Sequence, residues 1–252
     1  MKTRIMEETK APHFVARHRL LSFFVLAYAL SWCTWPINGE FQAIGALLAA
    51  VIVIAVTDGR AGFKELGRRL IRWRVPWYYY AFALLLPLVV RLVAGSLNPG
   101  PGPDWLSLTW TSAGLWFLVR MINPMDGPLA EEPSFRGYAV PRLPDTLRSA
   151  ALLGVLVAGW HLPLAADVGV AGFASTFVIT FVYVWLFNRT GGSVLLVLLF
   201  HNAQGFVTFG DLGLTGAALA RQQWIEFAAW AVVALTLVVA DRDGFRRNTR
   251  EA

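Results

Sequence analysis

The sequence contains one cysteine, Cys33, which excludes an intrachain disulfide and any metal site built from several thiolates. As a small apolar side chain in a hydrophobic run, Cys33 is expected in the core. Charge is scarce too. Only 15% of residues are charged, whereas a soluble domain carries about 25%. With 56% of positions hydrophobic, the surplus apolar surface has to face lipid. Internal repeats and low-complexity tracts are also absent, so residues 1–252 read as one integral membrane domain.

What the sequence does contain is a series of apolar runs near the ~20 residues that cross a bilayer. They fall at 20–35, 41–57, 77–94, 111–141, 150–166, 173–187, 192–209 and 224–240. The expected fold class is all-α, a polytopic transmembrane bundle of about eight helices. Lys2, Arg4, Lys10, Arg17 and Arg19 precede the first run, which continues through Trp32 and Trp35 without a small-x-small cleavage site. A retained first helix is therefore expected rather than a removed signal peptide.

The net charge of +6 does not point to nucleic acid, because the basic residues lie between hydrophobic runs. Alternate connections hold Arg60, Lys64, Arg68, Arg69, Arg72 and Arg74, then Arg142 and Arg148, then Arg189, then Arg242, Arg246, Arg247 and Arg250; the intervening ones hold almost only Arg221. This is the positive-inside distribution, and it predicts a multi-pass protein with both termini cytoplasmic. Residues 62–75 alternate bulky apolar and basic residues at helical spacing, which fits a helix lying along the interface or a solvated, charged loop. Trp77, Tyr78, Tyr79 and Tyr80 then form an aromatic belt.

Five ionisable residues stand out within the runs: Glu131, Glu132, Arg136, His161 and His201. Each costs at least ~2.5 kcal/mol at membrane depth, so each requires a partner, a wet cavity or a function. Counted from the expected cytoplasmic ends of their spans, Glu131, His161 and His201 all lie ~15 to 17 Å deep at 1.5 Å per residue. Glu132 and Arg136 share a helix face in the favourable acid-before-base order. Glu131 is rotated ~100° from that pair and is free to face a separate cavity. The run 111–141 would span ~45 Å as one helix, so a break at Pro124, Gly127 and Pro128 is expected just before the glutamates. Arg91 and Arg120 lie toward the outer ends of their spans and are expected to snorkel. Trp160 and Phe200, beside the histidines, are expected to pack.

The run EEPSFRG, Glu131 to Gly137, resembles the EExxxR signature of the CAAX-protease and bacteriocin-processing intramembrane endopeptidases, the group that includes the type II prenyl-protein endopeptidase. A histidine in the next helix and another two helices later extend the resemblance over residues 111–209. It implies that Glu131 activates water, with Glu132 and Arg136 as a supporting pair. It also implies that His161, of an FxxxH motif, assists with water or metal, and that His201, of an HxxxN motif, binds metal or the oxyanion. Two positions depart from the pattern, Val157 for the phenylalanine and Gly205 for the asparagine. Glycine has no side-chain donor. Gln204, three residues after His201 and on nearly the same face, is expected to replace the amide, and Asn202, ~100° away, is the poorer substitute.

The expected activity is hydrolysis of a peptide bond in a membrane-associated, prenylated CAAX-type protein or peptide. Glu131, His161 and His201 can hold a divalent metal such as zinc with an open water position, although no HExxH is present. The same groups can also work without metal. The partners are membrane lipid and a peptide or lipidated protein substrate. Two other readings stay open: a non-hydrolytic relative acting as a scaffold or bacteriocin-immunity factor, which Gly205 favours, and a transporter relaying protons through Glu131 and the histidines.

Overall fold

Runs of leucine, alanine, valine and phenylalanine can satisfy their own backbone in lipid by forming helices, and the computed structural model consists of helices. It describes residues 14–99, 103–106, 108–208 and 211–246; Lys2, Arg4, Lys10, Phe209, Arg247 and Arg250 lie outside them. Among the described residues no strand is present. The main elements are α1 (Arg19–Trp32), α2 (Ile44–Thr57), α3 (Gly59–Leu70), α4 (Trp77–Leu97), α5 (Trp110–Ile122), α6 (Gly127–Glu131), α7 (Leu147–Trp160), α8 (Ala165–Arg189), α9 (Val194–Gly205) and α10 (Gly216–Ala240). α6 runs on as a π-helix, Glu132–Ala139.

The chain is an all-α integral membrane bundle. Among the described residues, four segments are long and apolar enough to cross a membrane: Arg19–Asn38, Trp77–Leu97, Gly169–Arg189 and Gly216–Ala240. Ile44–Thr57, Leu147–Trp160 and Val194–Gly205 are shorter and apolar. Side-chain contacts group the helix ends. At one end Asp58 accepts from Arg19 (2.6 Å) and Arg142 (2.7 Å), Arg69 donates to the Gly137 carbonyl, and Arg189 pairs with Asp241. At the other end Arg221 donates to Asn98, and Trp32 to the Trp160 carbonyl. The arginine-rich connections therefore share one side.

α1 and α2 meet through small residues. Ala27 and Ser31 on α1 and Gly45, Ala46, Ala49 and Ala50 on α2 are buried, and a Cβ on Gly45 would collide with Ser31. Close backbone approach of this kind replaces the hydrophobic drive that helices lack within lipid.

Several boundaries differ from the hydropathy reading. The fifth span ends at Trp160, not near 166, because Pro163 cannot continue the helix. His161 thus lies at a helix end rather than within a span. The loose carbonyls there are satisfied: Tyr28 donates to Leu156, Trp32 to Trp160 and His161 to Val157. α8 starts early and bends at Gly169, whose φ of 58° suits glycine. α10 begins at Gly216, because Gln222 and Glu226 depress its hydropathy but turn inward. Glu226 pairs with Arg91 at 3.1 Å. Arg91 is therefore tied into the bundle rather than snorkelling.

The expected break before the glutamates is present, between Ile122 and Gly127. Gly59–Leu70 is a helix, not a solvated loop. Cys33 is exposed, contrary to the core placement expected. It falls where α1 bends into the turn Trp35–Asn38, beyond the part of the helix that packs. Trp160 and Phe200 are fully buried and pack, as expected.

Candidate active site

Pro133 has no N–H to return along the helix, and its ring crowds the carbonyl of the preceding turn. The chain accommodates this by widening into the π-helix Glu132–Ala139, and the Ser134 hydroxyl takes up the Ala130 carbonyl at 2.6 Å. Turns of this type occur often at functional sites. Phe135 stacks edge-on against Trp160, with centroids 5.2 Å apart, which fixes the wide turn against α7.

The two glutamates then diverge. Glu132 is fully buried, and its Oε1 accepts from His201 Nδ1 at 2.7 Å and from Arg136 Nη1 at 3.2 Å. The i,i+4 pair expected from sequence is therefore formed. The Arg136 guanidinium also lies over the Tyr183 ring, 4.1 Å from its centroid. Glu131 faces a cavity of about 210 Å³, which is also lined by Arg136, Val157, His161, Tyr183, His201, Gln204 and Gly205. His161 Nε2 stands 3.7 Å from Glu131 Oε1. Gly127 lies under these groups. A Cβ there would be 2.7 Å from Glu131 Oε1 and 3.6 Å from His201 Nε2, so glycine keeps the floor open.

The imidazoles are oriented from behind. His161 Nδ1 donates to the Val157 carbonyl at 2.8 Å, and His201 Nδ1 to Glu132. Each therefore holds its Nε2 for the cavity, and in a neutral ring that nitrogen carries the lone pair. Such backing is what metal-ligating histidines receive. Glu131, Glu132 and His201 each bring one potential ligand atom within 4.8 Å of the others. This group differs from the expected set in having Glu132 in place of His161. Nitrogen and carboxylate donors in this arrangement fit a divalent cation such as zinc without requiring one.

Gln204 lines the cavity, and its Oε1 accepts from the Tyr183 hydroxyl at 2.9 Å. Asn202 is turned away. Its Nδ2 donates to the Phe117 carbonyl at 2.7 Å, so it ties α9 to α5. Arg120 is 8% exposed and pairs with Asp126 at 2.9 Å, so it is folded inward rather than snorkelling. Sequence reasoning also missed Tyr183, Gly127 and Asp126. The available signals were a tyrosine within the apolar run of α8 and an acidic residue inside the helix break.

Residues 109–207 match the family model described as type II CAAX prenyl endopeptidase Rce1-like. Over these 99 of its 252 residues the chain is similar to that family. The limits of the match lie within two residues of the region 111–209 outlined by EEPSFRG and the two histidines, and they enclose Glu131, Glu132, Arg136, His161 and His201. No curated protein matches the chain. The residues that line the cavity all lie within the stretch that resembles a type II CAAX prenyl endopeptidase.

Proposed function

We propose that the chain is an intramembrane endopeptidase that hydrolyses a peptide bond in a membrane-associated, prenylated CAAX-type protein or peptide. The observation that carries this reading is the opening of Glu131, His161 and His201, from three separate helical segments, onto one cavity. The Glu131 carboxylate takes a proton from water, the resulting hydroxide attacks the scissile carbonyl, and Glu131 returns the proton to the leaving amine. His161 Nε2 holds the water beside Glu131, and His201 Nε2 faces the same space. Glu132 and Arg136 stand behind, where the carboxylate fixes the His201 ring and the guanidinium neutralises the carboxylate. Gln204 is a supporting donor, its amide oriented by Tyr183. Asn202 braces α9.

If a divalent cation is bound, Glu131 and the histidine Nε2 atoms hold it, and it supplies Lewis-acid polarisation of the carbonyl and acidification of water. The same groups suffice for a glutamate-type hydrolase. Eight helical passes through the bilayer, with both termini cytoplasmic, complete the proposal. Cys33, exposed and single, reports on this orientation: an impermeant maleimide should label it from outside intact cells, and labelling only after permeabilisation would reverse the topology.

The deciding experiment uses the purified full chain and a fluorogenic prenylated peptide, and compares wild type, Glu131→Ala and Glu131→Gln with and without chelator. Cleavage lost in both variants is expected, and loss on chelation identifies a metallopeptidase. Unchanged cleavage in the glutamate variants refutes the mechanism, and pH-dependent uptake without cleavage would indicate a proton-coupled transporter instead.

A further inference from the structure

Exposure of the residues around the cavity follows depth. On α8, Thr176 lines the cavity and is partly exposed, whereas Thr180 and Tyr183, nearer Arg189, line it and are buried. At 1.5 Å per residue, Thr176 lies ~20 Å from Arg189 and Tyr183 only ~9 Å. On α7, Val157 is buried and His161, just past the helix end, is partly exposed. On α9, Phe200 is buried, whereas Gly205, ~17 Å along from Val194, is partly exposed. Three helices of alternating direction therefore agree. Exposure is gained toward the ends that face away from the arginine-rich connections.

The other end of the cavity is shut. Every residue from Glu131 to Val140 is buried, and α3 lies across that stretch. Arg69 donates to the Gly137 carbonyl at 2.9 Å, and a Cβ on Gly137 would meet Leu66 Cδ1 at 2.6 Å, so no gap is left between them. The exposed end, by contrast, adjoins polar turns. Phe41 packs on Trp160 and lies 6.1 Å from the His161 ring, and it follows a turn in which Asn38 and Glu40 are exposed. Gly127, beneath Glu131 and His201, follows the break that holds Asn123 and Asp126. Irregular polar backbone of this kind is stable at a membrane only beside protein or water.

We propose that the scissile segment and the hydrolytic water reach Glu131 from the membrane face opposite the arginine-rich connections, which is the outer face in the orientation proposed above. The inference rests on the hydrolytic reading of the cavity. It narrows the substrate class to a membrane-anchored peptide or lipidated protein whose cleaved segment is presented on that face. A segment confined to the arginine-rich side meets α3 and the buried wall behind Glu131. An entering segment passes Thr176 first. The Thr176 hydroxyl already donates to the Gly172 carbonyl at 3.0 Å, so it offers only lone pairs and suits a peptide N–H.

The test compares three cysteines of the full chain in sealed membrane vesicles of one orientation, using an impermeant maleimide. Wild type carries Cys33, exposed at the end of the bundle where the cavity opens. Lys64→Cys, on the exposed face of α3, and Thr176→Cys are each made with Cys33→Ser. Thr176→Cys is expected to label from the same side as Cys33 and not from the side that labels Lys64→Cys, and labelling should reduce cleavage to background. Labelling from the Lys64→Cys side overturns the proposal, as does labelling only in detergent, which would put the entrance in the lipid. The two reference positions make the comparison independent of which face is outside. A second measurement needs no variant and decides if Thr176→Cys does not fold. A fluorogenic prenylated peptide with a charged, impermeant tail should be cleaved when added from the Cys33 side and left intact when added from the other; cleavage from the other side overturns the proposal. Glu131→Gln separates the two levels: if it cleaves normally, the hydrolytic reading fails, whereas if it is inactive and Thr176→Cys labels from the Lys64→Cys side, only the direction of entry fails.

Discussion

Among the described residues, two clusters of buried charge lie in this bundle, and they are built differently. Between α4 and α10, Arg91 meets both oxygens of Glu226 and the Val207 carbonyl. Gln222 donates to Glu226 at 3.1 Å, and Asn98 donates to Gln222 at 3.3 Å. Around the cavity, by contrast, Glu132 Oε2, Arg136 Nε and Arg120 Nη1 are buried without a partner, whereas no atom of the Arg91 cluster is so left among the described residues. A closed network holds helices together. An open one has bonds still to make, with water, substrate or an intermediate, and a site pays for that readiness in stability.

The comparison predicts opposite responses. In the open cluster, Glu131→Gln should reduce cleavage by about 10³-fold or more while the melting temperature stays near wild type; a folded, active variant would erase the distinction. In the closed cluster, Glu226→Ala strands Arg91 and should cost about 3–5 kcal/mol of stability with turnover per folded molecule unchanged. Replacing both partners, Arg91→Met with Glu226→Leu, should regain most of that loss. Denaturant titration beside single-turnover assays separates the two kinds of damage.

Gln204→Ala should have an intermediate effect, with kcat lowered about tenfold, less than for a principal oxyanion donor; unaffected activity would remove Gln204 from the mechanism. The smallest effect is expected at the polar end of the bundle, at Asp58. Burial alone would raise its pKa, but hydrogen bonds from Arg142 and Thr57 and the charges of Arg142 and Arg19 hold it below the usual carboxylate range. Its contribution is therefore full above the unfolded carboxylate pKa, about 4, and is lost as pH falls through the lower folded value. Asp58→Asn should lower stability by about 1 kcal/mol or less at pH 7. Melting curves should show that deficit closing below about pH 4.

The helical passes were legible because apolar runs are long and polar punctuation is sharp. The break ahead of Glu131 was legible for the same reason, since Pro124, Gly127 and Pro128 have only local ways to act. Boundaries failed where polar residues turn inward, as at Gln222 and Glu226. They also failed where a helix stops inside the bundle, as at Trp160, whose carbonyl accepts from the indole N–H of Trp32 on α1. Hydropathy records what a residue is, not which neighbour satisfies it.

By itself, the sequence determined the helical membrane class, the arginine-rich side, the Glu132–Arg136 pair and the candidate set of Glu131, His161 and His201. These follow from composition and from the fixed 3.6-residue period of one helix. Only the tertiary structure decided which nitrogen each imidazole presents, that Asn202 turns away and Tyr183 turns in, and that the place left bare by Gly205 is filled by Arg120 from another helix. Those facts depend on contacts between segments distant in sequence, where the geometry of one helix constrains nothing about the next.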